Sequence, residues 1–316
     1  MPARFDPALI QRGARLKRSP FFEATQRAGC LGYTIYNHML LPIGYDDFEA
    51  EYRKLLADVT LWDVAVERNV EIAGSDGLRF AQLLTPRDLS KCPVGEGRYV
   101  VLTDESGGIV NDPVLLRLDQ NRFWLACADS DVLLWAKGIA RGSALFSGTG
   151  CPRSATTISS RPGWMAAGEP YGIAPTGPSD IRRIEAGILN YGIDMTLENN
   201  PYEVGLERLV ELDKPAEFIG RAALRRIKQE GVRKKLAGIE IDGARLDLNM
   251  TRYPVRGGGH VTSCVYSPRL KKNIGYAMLP LPMATGLEIE TPDGVRRAAV
   301  VPMPFIDPKK LLAKEP

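Results

Sequence analysis

Histidine is nearly absent from this chain: His38 and His260 are the only two. A histidine-rich zinc or non-haem iron site is excluded, because such sites draw their nitrogen ligands from imidazole. Paired cysteines are missing as well. The five cysteines, Cys30, Cys92, Cys127, Cys151 and Cys264, are odd in number, widely separated and free of any CxxC spacing. That pattern argues for reduced thiols in a cytoplasmic protein rather than a disulfide framework. No segment reaches the roughly 18 apolar residues of a membrane span, and the N-terminal MPARFDPALIQRGARLKRSPFF lacks the continuous apolar core of a secretion signal. Charge of one sign is also scarce: the formal net charge is +3 over 316 residues, with Lys and Arg interleaved among Asp and Glu. The one basic cluster, Arg225-Arg226, Lys228 and Arg233-Lys234-Lys235, reads as a solvated helix face and turn, so nucleic acid is not an expected partner. A Rossmann fingerprint and a phosphate-binding P-loop are both lacking. Gly257-Gly258-Gly259 is not followed by a Lys-Ser/Thr helix and reads as a hairpin turn.

What is present suffices for a folded core, since 44% of residues are apolar and 25% charged, and the length calls for more than one substructure. Phe48, Tyr52, Leu55 and Leu56 have helical spacing, and LWDVAVERNVEIAG then alternates Val64, Val66, Val70 and Ile72 like a strand pair. Asp76 is placed to cap a helix carrying Leu78, Phe80, Leu83 and Leu84. The strand RYVVLTD follows, and Glu105-Ser106-Gly107-Gly108 turns it back into IVNDPVLLRL, with FWLACA as a third strand. Ser179 or Asp180 can cap a helix carrying Ile181, Ile184 and Ile188, and a second helical run covers Gly220 to Gln229. Strands at LAGIEID, HVTSCVYSP, IGYAMLP, LEIETP and RRAAVVPM point to a β-rich C-terminal domain. Mixed helices and antiparallel strands without βαβ alternation make the fold class α+β. Residues Gly142 to Gly163, dense in Ser, Gly, Thr and Pro, break the pattern and read as irregular.

The order of these segments resembles the glycine-cleavage T-protein, or aminomethyltransferase, family. LLTPRDLSKCPVGEGRYVVLTDESGGIVNDPVLLRL is similar to its first folate-binding repeat. RRIEAGILNYGIDM looks like its Arg-x-Glu-Ala-Gly and Tyr-Gly-x-Asp segment, and NPYEVGLERLVELDKPAEFIGRAAL looks like the stretch leading to its Phe-Ile-Gly-Arg helix. VTSCVYSPRLKKNIGYAMLP resembles its C-terminal barrel motif. YNHMLLP and AVERNVEI are more similar to the dimethylsulfoniopropionate-demethylase branch, which moves a methyl group from a sulfonium donor to tetrahydrofolate.

The resemblance implies an aminomethyltransferase-type folate-binding fold with a small C-terminal β-barrel and a truncated centre. On that reading 1–141 is the N-terminal folate-binding repeat and 142–170 replaces part of the second. Residues 171–231 complete the second repeat, and 232–316 form the barrel. Between Trp135 and PTGPSDIRR the family carries a Gly-Tyr-x-Gly-x-x-Gly-x-Glu motif whose acid holds the pterin. This chain has no match to it and is shorter than the family pattern by roughly fifty residues, more than loop variation explains.

The implied activity is a tetrahydrofolate-dependent methyltransferase or demethylase with a small sulfonium or amine donor. The alternatives are a glycine-cleavage aminomethyltransferase, which requires a lipoyl carrier protein, and a non-catalytic folate-binding protein. Tetrahydrofolate is the expected co-substrate and no metal is required. Asp112 takes the position of the family's carboxylate facing folate and donor, and the neighbouring acid of other members is here Asn111; Asn111-Asp112-Pro113 also reads as a polar strand kink. Tyr99, Tyr191 and Trp62 are candidate aromatic walls for a cation, or core residues. Arg183 is a candidate near the site, Glu185 can serve as a structural partner of Arg182, and His38 is either a substrate contact or a packed histidine.

Overall fold

The computed structural model describes residues 16–142, 149–155, 164–309 and 311. By internal contacts the chain forms two compact units: Met1–Val66 with Ile158–Pro178, and Glu67–Thr157 with Ser179–Pro316.

The first unit begins with α1 (Phe22–Arg27) and the hairpin β1 (Gly32–Tyr36) and β2 (Met39–Gly44). Asn37 and His38 form its two-residue turn with φ of 50° and 62°, the left-handed pair that matches strand twist and that Asn tolerates. The Asn37 amide donates to the Val66 carbonyl at 3.3 Å, while His38 is exposed at the tip. α2 (Phe48–Ala57) starts where Asp47 accepts hydrogen bonds from the Glu49 and Ala50 N–H groups at 3.0 and 3.1 Å, as an N-cap aspartate does. Of the apolar positions expected on its inner face, Tyr52 is buried whereas Phe48 and Leu56 are exposed. β3 (Thr60–Leu61) ends this part.

The expected strand pair across Val64 to Ile72 is a single strand, β4 (Arg68–Gly74), preceded by a turn. α3 (Gly77–Leu84) follows with Asp76 at its N-cap position, and it buries Phe80, Ala81 and Leu84. RYVVLTD divides into β5 (Gly97–Tyr99) and β6 (Leu102–Thr103), and its partner divides into β7 (Ile109–Asn111) and β8 (Val114–Asp119). β9 (Arg122–Cys127) and α4 (Val132–Gly142) come next. Within the stretch read as irregular lies a further strand, β10 (Thr149–Ala155), antiparallel to β4. Backbone groups alone can build an edge strand, so its formation does not require apolar alternation. The remainder of that stretch, 143–148 and 156–163, lies outside the described residues. The five-stranded antiparallel sheet has the order β10-β4-β9-β8-β5. One face packs Val70, Ile72, Leu115, Phe123 and Leu125 against Phe80, Leu84 and Leu89 in a closed apolar cluster.

α5 (Trp164–Gly168) and β11 (Ala174–Pro175), parallel to β3, complete the first unit. α6 (Asp180–Glu185) is capped by Ser179, whose Oγ accepts the Arg182 N–H at 3.2 Å. It ends before Ile188 because Gly187 adopts φ +69°, the left-handed stop that glycine supplies. α7 (Arg221–Glu230) leads into the C-terminal strands. These are β12 (Lys234–Ile241), β13 (Tyr253–Pro254), β14 (His260–Ser267), β15 (Lys272–Pro280), β16 (Gly286–Thr291) and β17 (Gly294–Val301). Their order is β13-β14-β15-β12-β17-β16. The Val255–Ile289 bridge and the Arg256 N–H donating to the Glu288 carbonyl at 2.9 Å bring the two ends together as a nearly closed barrel. Its interior holds Ile239, Ile241, Val261, Cys264, Ala277 and Ile289.

Candidate active site

The split hairpin around Asp112 is a consequence of Pro113. Tyr99 pairs with Val114 and Leu102 with Asn111, so residues 100–101 face Asp112 and Pro113 across the gap. Proline has no N–H to give to the ladder, and the Pro113 carbonyl instead accepts the Val100 N–H at 3.0 Å. The kink leaves Asp112 and Pro113 between β7 and β8, outside the strand pairing. At the hairpin tip Gly107 takes φ +85°, and a Cβ on Gly108 would stand 2.3 Å from the Leu197 carbonyl. Both glycines are therefore needed for the turn to lie under the segment that carries Tyr191.

Three of the residues singled out from the sequence meet here. The Tyr99 hydroxyl donates to Asp112 Oδ2 at 2.8 Å. Tyr191 donates to the Ile109 carbonyl at 3.1 Å, and its phenol is pushed up to about 12, first by burial and then by the charges of Asp112 and Asp104. Asp112 Oδ1 is buried without a hydrogen-bond partner among the described residues. Burial raises the Asp112 carboxyl to about 7, against the opposing pull of the Tyr99 hydrogen bond. Cys127 lies close by, its thiol pushed up to about 12 by burial and by the carboxylates of Asp112 and Glu67, which keeps it protonated and poorly nucleophilic.

Other candidates have different surroundings. Asn111 is fully buried; its amide donates to the Ala128 carbonyl at 3.2 Å and to Ser130 Oγ at 2.8 Å, and its carbonyl accepts the Ala128 N–H at 3.1 Å. It fastens β7 to the loop after β9. Arg183 is bound to Asp180 at 2.5 Å, Asp194 at 2.8 Å and Ser263 Oγ at 3.0 Å. Those acids hold its guanidinium above its usual range despite burial. Glu185 accepts from Ser267 Oγ at 2.5 Å, tying α6 to β14. Trp62 belongs to the first unit, where it lines a small cleft with Leu41, Pro42, Asp63 and Thr176.

Two residues that sequence reasoning passed over also stand beside Tyr99. Arg87 donates to the Tyr99 carbonyl at 2.5 Å, and the Arg208 guanidinium carbon lies 6.0 Å from the centre of the Tyr99 ring. Their only signal in the sequence is membership of the TPRDLSK and GLERLV segments, because an arginine in a loop looks like any solvated charge.

This fold and this hairpin have counterparts. Residues 21–147 match the GCVT N-terminal domain, and residues 234–307 match the glycine cleavage T-protein C-terminal barrel domain. The chain belongs to the glycine-cleavage T-protein (aminomethyltransferase) family of tetrahydrofolate-dependent one-carbon transferases. It is 31% identical to the dimethylsulfoniopropionate demethylase DmdA of Ruegeria pomeroyi, over 93% of this chain and 98% of that one. An aminomethyltransferase of Symbiobacterium thermophilum is 28% identical over 92% and 97% of the two chains. The crystal structure of glycine cleavage system aminomethyltransferase T from Bartonella henselae shares the fold, with a TM-score of 0.79 at 18% identity, over 92% and 98% of the chains. The alignment with the demethylase spans 360 positions, more than the 316 residues of this chain. Nearly all of the relative is included, so this chain has gaps opposite its interior.

Proposed function

We propose that this protein moves a methyl group from a small sulfonium or amine donor, of the dimethylsulfoniopropionate kind, to tetrahydrofolate. The observation that carries the reading is the bare Oδ1 of Asp112, a carboxylate whose other oxygen is bound by Tyr99 and whose charge reaches the Tyr191 phenol. A buried carboxylate with one oxygen uncovered is costly unless a ligand covers it. A cationic donor answers that need, and aromatic faces add to its hold. The N–H edge of a pterin fits the same oxygen, so the residues present suit folate at this position. Asp112, Tyr99 and Tyr191 are the residues that would hold it.

Tetrahydrofolate, when bound, supplies the amine nitrogen that accepts the carbon. The protein contributes position and charge rather than a covalent intermediate. Tyr99 fixes the Asp112 carboxyl through Oδ2 and leaves Oδ1 directed to the ligand. With its carboxyl near 7, Asp112 can also take up the proton that the amine sheds on methylation.

The demethylase reading is favoured over glycine cleavage by the relative at 31% identity, against 28% for the aminomethyltransferase. Incubating the protein with dimethylsulfoniopropionate and tetrahydrofolate should yield methyl-tetrahydrofolate by mass spectrometry. Methylene-tetrahydrofolate formed only with an aminomethyl-lipoyl carrier protein would instead establish the glycine-cleavage activity.

The shortened centre bears on affinity. Segment 142–170 stands where the family's pterin-holding acid belongs, so folate is held by fewer groups and binds more weakly than in a full-length relative. Calorimetric titration with tetrahydrofolate checks this; affinity equal to that of the demethylase relative would refute it.

A further inference from the structure

Two guanidiniums that methyl transfer as described does not use lie against the ring face and backbone of Tyr99. Arg208 sits on the short turn Glu207–Leu209 with its guanidinium over the Tyr99 ring at 6.0 Å. It has no ion pair or hydrogen bond among the described residues. Arg87 gives one N–H to the Tyr99 carbonyl. Burial, and then the charges of Arg98 and Arg208, lower its pKa. The nearby acids are already engaged: Glu211 with Lys91 at 2.9 Å, Glu96 with Arg98 at 2.7 Å, and Glu207 with Lys235 at 3.5 Å. At the far end of the same side chain the Tyr99 hydroxyl is bound to Asp112. One tyrosine thus separates a carboxylate with an open oxygen from guanidiniums with open N–H groups.

We propose that Arg208, assisted by Arg87, takes the carboxylate of a zwitterionic one-carbon donor whose cationic centre lies against Asp112. The proposal rests on the onium-donor reading above and adds which part of the donor is recognised and by what. A guanidinium fork suits a carboxylate in geometry as well as charge. Donors in which an onium and a carboxylate are separated by a short chain satisfy both ends of Tyr99, and an onium without the acid satisfies one.

Equilibrium titration tests this without turnover, using dimethylsulfoniopropionate and trimethylsulfonium as probes on the wild-type protein, Arg208→Ala and Arg208→Lys. Arg208 is exposed, and matching melting curves would show that the variants are folded. Arg208→Ala should weaken dimethylsulfoniopropionate binding about tenfold, leave trimethylsulfonium and tetrahydrofolate binding unchanged, and be partly rescued by Arg208→Lys. Equal weakening of both sulfonium probes, or of neither, overturns the assignment. Weakened binding of tetrahydrofolate instead would give the arginine to a carboxylate of the folate tail and overturns it too. Wild-type protein that binds neither sulfonium removes the onium reading itself, whereas trimethylsulfonium bound as tightly as dimethylsulfoniopropionate removes only the role of Arg208.

Discussion

Asp194 and Asp112 lie in the same unit, and their surroundings are opposite. Asp194 is 1% exposed; its Oδ1 accepts from Thr262 and Ser263 at 2.7 and 2.6 Å, and its Oδ2 accepts from Arg183 and the Asn190 N–H at 2.8 and 2.9 Å. Every acceptor site has a donor, and the result is a joint between α6, the following turn and the barrel. Asp112 has Tyr99 on one oxygen and, among the described residues, no hydrogen-bond partner on the other. A saturated buried charge holds a fold together, whereas a half-satisfied one keeps part of its field for a ligand. Arg183 and Asp112 were both singled out from the sequence, but the structure gives them these two different settings.

Removing one member of each setting separates the two roles. Asp194→Ala leaves the Arg183 guanidinium with Asp180 as its remaining ionic partner, takes the acceptor from the Ser263 hydroxyl and leaves Thr262 only the Tyr276 carbonyl at 3.4 Å. It should lower unfolding stability by about 3–5 kcal/mol, measured by urea denaturation. A loss under 1 kcal/mol would mean that the joint is not structural. Asp112→Asn should lower methyl transfer about a hundredfold while leaving the melting temperature at pH 8 unchanged or higher, because it removes an under-solvated charge. Retained turnover with a lower melting temperature would reverse the contrast between the two aspartates.

A pH series sharpens the same point. The Asp112 carboxyl lies at about 7 in the folded protein, above the ordinary 3.8. Below pH 3.8 both folded and unfolded chains hold the proton, and the contribution is fully present. Between 3.8 and 7 the unfolded chain releases it first, so this group's contribution falls as pH rises and levels off above 7. Asp112→Asn should remove that slope from the difference between variant and wild-type unfolding curves; an unchanged slope would assign it to another group. The smallest effect is expected for Tyr99→Phe. It takes away the hydrogen bond that holds the Asp112 carboxyl down, so the acidic limb of the pH–rate profile should move to higher pH with roughly a tenfold loss of turnover. A profile displaced to lower pH would contradict the hydrogen-bond direction.

Local chemistry made much of the fold legible. Ser179 caps the helix it was expected to cap, Asp76 stands at the N-cap position of α3 without a side-chain cap hydrogen bond, and the alternating C-terminal runs pair into the barrel. Asn111-Asp112-Pro113 marks its kink in three letters, because a missing N–H is a property of the residue itself. Patterning was weaker where backbone bonding acts without apolar side chains, as in β10, and where a glycine stops a periodic run early, as at Gly187 before Ile188. Side-chain partnership left no trace of that kind. Asn111 looks like a site residue beside Asp112, yet its amide is fully occupied by Ala128 and Ser130.

Family membership and the kink at Asp112-Pro113 can thus be read from the letters, since motif order and a proline are written along the chain. Whether Arg183 is tied down, whether Oδ1 of Asp112 is left bare, and whether Arg208 meets Tyr99 depend on contacts between residues distant in sequence. Hydrogen-bond saturation and desolvation arise only when those distant groups are brought together.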